Sequence, residues 1–228
     1  MDQRTYSQYC AVARTLDLVG ERWTLLLVRE LLTGPKRFGD LQRSLRGIGT
    51  GLLAVRMKHL ERQGLAHRIT LPPPARTPAY ALTEAGEELG PVVLALARWG
   101  LKWTMGDRRD TEVFRPGWAV LAMETYFDPT AAAGVRAIYE YRVDDEVFHV
   151  RIDDGALEAA HGPAQRPDVV IETTTEVFLA VAEGQIDYAA ALKDGSATVS
   201  GDRKLLRLLA KLFRRPTRAT RHPATADE

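Results

Sequence analysis

Thiols are almost missing from this chain: of its 228 residues only Cys10 is a cysteine. A single thiol excludes an intrachain disulfide and any cysteine-rich metal site. Long apolar runs are missing as well. None approaches the roughly 18 residues that a membrane-crossing helix needs, and the opening stretch MDQRTYSQYC lacks the apolar core of a secretion signal. The expectation is a protein of the reducing cytoplasm, off the membrane. The five histidines, His59, His67, His149, His161 and His222, are scattered without ligand spacing. No G-x-S-x-G, H-E-x-x-H or phosphate-binding lysine loop occurs. Asp144, Asp145 and Glu146, like Asp153 and Asp154, read as turn residues rather than as catalytic or metal carboxylates. Neither a metal, nor a cofactor, nor catalysis is expected.

Net charge is also nearly absent, at +1, but this conceals a separation. Residues 1–105 hold fifteen Lys/Arg against nine Asp/Glu, whereas residues 106–213 hold twelve against nineteen. Between Gly34 and Arg76 there are nine basic residues and two acidic ones. Two halves of opposite sign point to two domains with different partners, the basic one suited to nucleic acid. Apolar residues make up 45% of the chain, enough for a sizeable core.

The first half reads as helices followed by a hairpin. Val12, Leu16 and Val19, then Leu25, Leu26, Val28 and Leu32, recur at helical spacing in two segments broken near Gly20. Gly34-Pro35 stops the second. RFGDLQRSL predicts a short helix from about Phe38 to Leu45. LLAVRMKHLERQ follows on a clear 3.6-residue period, with Thr50 as its cap and Gly64 as its stop. One of its faces carries Leu53, Met57 and Leu60. The opposite face carries Gly51, Val55, Lys58 and Arg62, with His59 at the edge. AHRITL and TPAYALT alternate, and PPPAR joins them into a hairpin whose stiff loop presents Arg76. Thr83 caps a further helix to about Trp103, kinked at Gly90-Pro91 and apolar over a wide arc (Leu89, Val92, Val93, Leu96, Trp99 and Trp103).

MGDRRDTEVFRPG reads as a polar linker, and the pattern then changes. VRAIYEYRV and EVFHVRID predict a hairpin around Asp144-Asp145, with ALEAA, DVVIET and SATVSG as further strands. EVFLAVAEG, capped by Thr174 or Thr175, IDYAAALKDG, and RKLLRLLAKLF, capped by Asp202, predict three helices. The tail RRPTRATRHPATADE has no apolar periodicity and is expected to be disordered. The fold class is therefore α+β.

Three glycines at alternate positions, Gly47, Gly49 and Gly51, resemble a phosphate cradle. A dinucleotide fingerprint, however, needs a strand before its glycines and a strand–helix–strand frame around them. Here a helix precedes them. A helix, a glycine turn, a second helix with a basic outer face and then a hairpin describe a winged helix-turn-helix instead, whose second helix enters a major groove.

Several local motifs agree with that reading at once. GERWTLLLVREL, RFGDLQ, LAVRMKHLE and YALTEAG, within residues 8–104, resemble the HxlR-type branch of MarR-like winged-helix regulators. Gly51 departs from the pattern, since relatives usually carry a larger polar residue there. The resemblance implies a homodimeric transcription factor on a palindromic double-stranded DNA operator. PDVVIETTTEVFLAVAEGQIDYAAALKDGSATVSGD, within residues 118–213, is similar to sterol-carrier-type lipid-binding domains. That likeness implies an antiparallel-rich five-stranded sheet and an apolar tunnel for a fatty or sterol-like effector. The domains expected are a winged helix over 1–105, a linker over 106–117, a sterol-carrier-like domain over 118–213 and a tail over 214–228.

The expected DNA contacts are Arg37, Thr50, Gly51, Val55, Arg56, Lys58, Arg62 and Arg76. Arg56 lies at the margin of the outer face, in the family's contact position. Phe148, Phe178 and Leu192 are the candidates for lining the ligand cavity. Cys10 reads first as small core filling beside apolar helix residues. In HxlR-type proteins a cysteine at the start of the first helix sometimes senses oxidants or electrophiles, so a thiol-switch regulator stands as the alternative. A carrier or enzyme acting on a lipid-like substrate stands as the alternative from another class.

Overall fold

A computed structural model describes residues 5–105, 108–109 and 111–214. The tail expected to be disordered, beyond Arg214, and linker positions 106, 107 and 110 lie outside the described residues. The chain divides into two compact units, Met1–Val93 and Leu94–Glu228.

The first unit is built from α1 (Ala11–Val19), α2 (Thr24–Leu32), α3 (Phe38–Ser44), α4 (Thr50–Arg62), the hairpin β1 (Ala66–Thr70) and β2 (Pro78–Leu82), and the short α5 (Glu84–Glu87). Leu27, Val28 and Leu31 of α2, Leu41 of α3, and Leu53, Met57 and Leu60 of α4 form one buried core. Of the α2 positions expected at helical spacing only Val28 is fully buried: Leu25 and Leu32 are half-buried against the core and Leu26 is exposed, so the helix is rotated from the expected stripe. The hairpin is antiparallel from Ala66 opposite Leu82 to Thr70 opposite Pro78. Lys36, just before α3, exchanges two backbone hydrogen bonds with Tyr80, of 3.0 and 2.8 Å, so the wing is tied to the helices it follows. Gly86 lies against the main chain between α4 and the wing. A β-carbon there would fall 2.0 Å from the Leu65 carbonyl oxygen, so no larger residue fits.

The long helix expected from Thr83 to Trp103 is two helices. Thr83 caps α5 by accepting from Gly86 N at 3.2 Å, and α6 (Gly90–Trp103) starts afresh. Pro91 has no N–H to continue the ladder and is tolerated only in a first turn, so the helix restarts rather than kinks.

In the second unit a 3-10 turn (Pro116–Trp118) leads into α7 (Ala119–Tyr126). Then come β3 (Arg136–Val143), β4 (Glu146–Asp153), β5 (Ala156–His161) and β6 (Val169–Thr173). α8 (Thr175–Ala182), α9 (Tyr188–Lys193), β7 (Ala197–Gly201) and α10 (Arg203–Leu212) complete it. The five strands form one sheet in the order β5-β4-β3-β6-β7. Three of its ladders are antiparallel, and the central β3–β6 ladder is parallel. Period-2 alternation sends Tyr139, Tyr141 and Val143 of β3 and Phe148, Val150 and Ile152 of β4 to one face, which packs on α7, on Phe178 of α8 and on Leu206, Leu209 and Leu212 of α10. On the other face Glu140 is buried, 2% exposed. Its carboxylate accepts from Ala164 N and from Arg142 Nε, both at 2.8 Å.

Helix α7 has no counterpart among the expected elements. AVLAMETY is apolar almost all round, so it shows no helical stripe to read. Its punctuation was readable: Pro116-Gly117 before it and Asp128-Pro129 after it.

Candidate functional site

The turn between α3 and α4 sets the geometry of the basic surface. Gly47 adopts φ +92°, a conformation that strains any residue with a β-carbon. Gly49 and Gly51 do not, and a β-carbon at either would meet open space. The three glycines are thus one obligatory turn residue and two positions where the backbone lies bare at the surface. Gly49, not Thr50, is the cap residue of α4, its carbonyl accepting from Leu53 N at 2.9 Å. Thr50 is the first helical residue. Its hydroxyl, one step past the cap, accepts from Gln42 Nε2 at 2.7 Å and links α3 to the start of α4. Gln42 was not among the expected site residues, because only the tertiary turn brings it to Thr50.

Along α4, Gly51, Val55, Lys58 and Arg62 are exposed on one face, and Leu53, Met57 and Leu60 are buried on the other. His59 corrects the reading of the edge. It is buried, with Nε2 2.8 Å from the Leu18 carbonyl, where it ties α4 to α1. Arg56 also turns inward. Its guanidinium donates to Glu21 Oε2 at 2.7 Å and to the Arg22 carbonyl at 3.2 Å, and its side chain is 17% exposed. Arg37 is exposed at the cap position of α3, and Arg76 is exposed in the wing loop at φ +39°. Arg68 of β1 is occupied by Glu61, at 2.9 Å, and lies over the Tyr80 ring. The geometry offers a helix whose exposed Lys58 and Arg62 have no carboxylate partner among the described residues and whose N-terminal end is bare, followed by a wing with its own exposed arginine.

Cys10 is exposed at the cap position of α1. Core filling is thereby corrected. Helix α1 buries Ala13 and Val19 but leaves Val12 66% and Leu16 41% exposed in the single chain, and the thiol lies at its exposed end. In the second unit Phe148 and Phe178 are buried. Phe148 stacks on Tyr141 at 5.0 Å between ring centroids, and Phe178 stands edge-on to both at 5.8 and 6.0 Å. Leu192 is half-buried against the same cluster. The three residues therefore belong to one apolar interior, filled by aromatic rings.

Residues 18–108 match the HxlR-like helix-turn-helix family, and residues 124–214 match the SCP-2 sterol transfer family. An uncharacterized HTH-type transcriptional regulator of Mycobacterium bovis is 43% identical over 90 residues, 40% of this chain and 56% of that protein. The match thus spans little more than half of the mycobacterial relative. One from Synechocystis is 34% identical over 94 residues, 41% of this chain and 70% of that protein. The transcriptional regulator YodB of Bacillus subtilis, solved in its reduced form, is 31% identical over 44% of this chain and all of its own, at a TM-score of 0.38. The helices, glycine turn and wing of residues 18–108 place this chain in the HxlR-like helix-turn-helix family, with an SCP-2 sterol transfer region following in the same polypeptide.

Proposed function

We propose that this protein is a dimeric, DNA-binding transcriptional regulator whose second unit takes up an apolar small molecule that changes its affinity for a palindromic operator. The observation that carries the DNA reading is the outer face of α4, where Lys58 and Arg62 stand exposed beyond a helix start left bare by Gly49 and Gly51. In this reading Lys58, Arg62, Arg37 and Arg76 meet phosphates, and the Thr50–Val55 end meets base edges. Arg56 meets a phosphate only by giving up Glu21, so its first role is to seat α4 on the α1–α2 turn. Pairing is supported by the apolar side chains that α1 and α6 leave in solvent: Val12, Leu16, Val92, Leu96, Trp99 and Trp103. A twofold dimer that buries them sets two recognition helices roughly 34–36 Å apart, one turn of DNA.

The match to a sterol transfer family supports an apolar effector, as do the half-buried Val177, Leu179, Val181, Ile186 and Leu192 in and beside α8 and α9. An occupant has to part Phe178 from Phe148 and Tyr141. It alters DNA affinity only by binding one arrangement of the dimer better than another. A coupling of about 1–3 kcal/mol changes affinity about 5–150-fold. Selection of bound sequences from a random duplex pool tests the DNA reading, and a pool that yields no enriched palindrome overturns it. Native mass spectrometry of protein purified from cells tests for a retained apolar molecule. A chain truncated after Met105 should then still bind the selected operator and ignore that molecule.

One observation favours a second reading of the signal, the exposure of Cys10 at the start of α1. There, oxidation or alkylation of the thiol replaces the ligand. A Cys10→Ser variant that no longer responds to diamide on the selected operator, while the wild type does, supports the thiol.

A further inference from the structure

The charge of the second unit is sharply divided. From residue 106 to Asp202 there are nineteen acidic residues and eight basic ones, whereas from Arg203 to Ala226 there are eight basic residues and none acidic. Helix α10 carries Arg203, Lys204, Arg207 and Lys211, and Arg214 follows it. At about 100° per residue the four on the helix fall within an arc of roughly 100°. All five are exposed, and among the described residues no carboxylate is paired with any of them.

This stripe weakens the helix that bears it. Arg203 and Lys204 sit in the first turn, where the helix dipole disfavours cations. Arg203 and Arg207, and Arg207 and Lys211, are like charges four residues apart, which repel. The opposite side of α10 is committed: Leu206, Leu209 and Leu212 are buried in the core. Tyr139 also donates its hydroxyl proton to the Leu205 carbonyl at 3.1 Å. Beyond the helix, Arg214 N donates to the Tyr126 carbonyl at 2.8 Å. Seated in this way, α10 cannot lay its leucines into a lipid surface without leaving the fold. What remains available is a row of exposed cations suited to phosphate oxygens.

We propose that the outer face of α10 is a second DNA contact, to backbone phosphates and independent of sequence, separate from the surface on α4. It extends the regulator reading and assumes that the chain binds DNA. A polyanion accounts for a row of cations that costs the helix stability and has no ion pair among the described residues, and the partner already implied by α4 supplies one.

The test uses the full chain and a fluorescent duplex of random sequence, with binding followed by anisotropy from low to moderate salt. In a variant carrying Arg203→Gln, Lys204→Gln, Arg207→Gln and Lys211→Gln, the slope of log affinity against log salt should fall by about 2–4. Affinity at low salt should fall at least tenfold. Thermal unfolding should show a midpoint no lower than wild type, since repulsion has been relieved. Should the fourfold variant fail to fold, Lys204→Gln and Lys211→Gln made singly should each lower the slope by about 0.9. An unchanged slope overturns the contact. If Lys58→Gln with Arg62→Gln still weakens binding in that case, the regulator reading survives alone. Loss of binding to phosphatidylglycerol vesicles with an unchanged DNA slope assigns the face to lipid and also overturns it. A wild type that binds neither random nor selected duplex removes both readings together.

Discussion

Arg56 and Lys58 lie two residues apart on α4, and their environments differ completely. Lys58 is exposed, whereas Arg56 is held by Glu21 and by the Arg22 carbonyl. Replacing Lys58 or Arg62 by alanine should therefore weaken binding to every duplex and lower the salt slope by about one ion each. Arg56→Ala should also weaken binding, but with the slope unchanged, because the ion pair it breaks lies within the protein. Exchanging the pair, Glu21→Arg with Arg56→Glu, should restore part of that loss, as measured by the same titrations. Glu140 makes a parallel case in the sheet. Glu140→Ala leaves the Ala164 N–H without its acceptor and frees Arg142 from one of its two carboxylates, at a cost of about 1–3 kcal/mol by urea unfolding.

Among the elements, α6, like α1, carries apolar side chains that a single chain leaves in solvent. Leu96 and Trp99 are 51% and 58% exposed. Leu96→Glu with Trp99→Glu should give monomers by sedimentation velocity that lose operator binding while keeping the helical circular dichroism of the wild type. Monomers that bind with full affinity would place the pairing elsewhere. The junction of β7 with α10 is tight in a different way. Gly201 adopts φ +98°, and a β-carbon there would come within 2.0 Å of the Asp168 carbonyl oxygen. Gly201→Ala should lower stability by about 2 kcal/mol or more, since a disfavoured φ is added to a backbone clash. The amphipathic stripes of α4 and α10 were legible because each buries one side only. α7 was not, because a helix buried on most sides carries no period.

The molecule as a whole has an alkaline limit set by its second unit. Burial, reinforced by the nearby charges of Asp168 and Asp202, pushes the Tyr139 hydroxyl up to about 12. Burial likewise raises Tyr141 well above its ordinary range, and it raises Tyr188. In the unfolded chain these phenols ionise near pH 10. Between that value and the folded ones the unfolded state binds fewer protons, so stability falls as pH rises. The contribution of Tyr139 is fully present below about pH 10 and is lost through about pH 12. Tyrosinate absorbance should appear together with loss of sheet circular dichroism, and removal of the Tyr139 hydroxyl proton should release its bond to α10 first.

The sequence by itself determined two kinds of thing: where the chain is periodic, and where it cannot be. Apolar spacing laid out α1 to α4, the wing and the five strands, and the glycine turn ruled out a nucleotide fold because a helix preceded it. Composition separated a basic half from an acidic one. Only the tertiary structure decided which side chains remain free to act. His59 and Arg56 share α4 with Lys58, yet α1 claims the first through Leu18 and the turn after it claims the second through Glu21 and Arg22. Cys10 sits beside apolar residues in sequence, yet it is exposed, as Ala11 and Val12 next to it are. A pattern along one helix records which side is apolar. Whether another segment covers that side, or pairs with its charges, depends on contacts between residues far apart in the chain, and no local spacing encodes those.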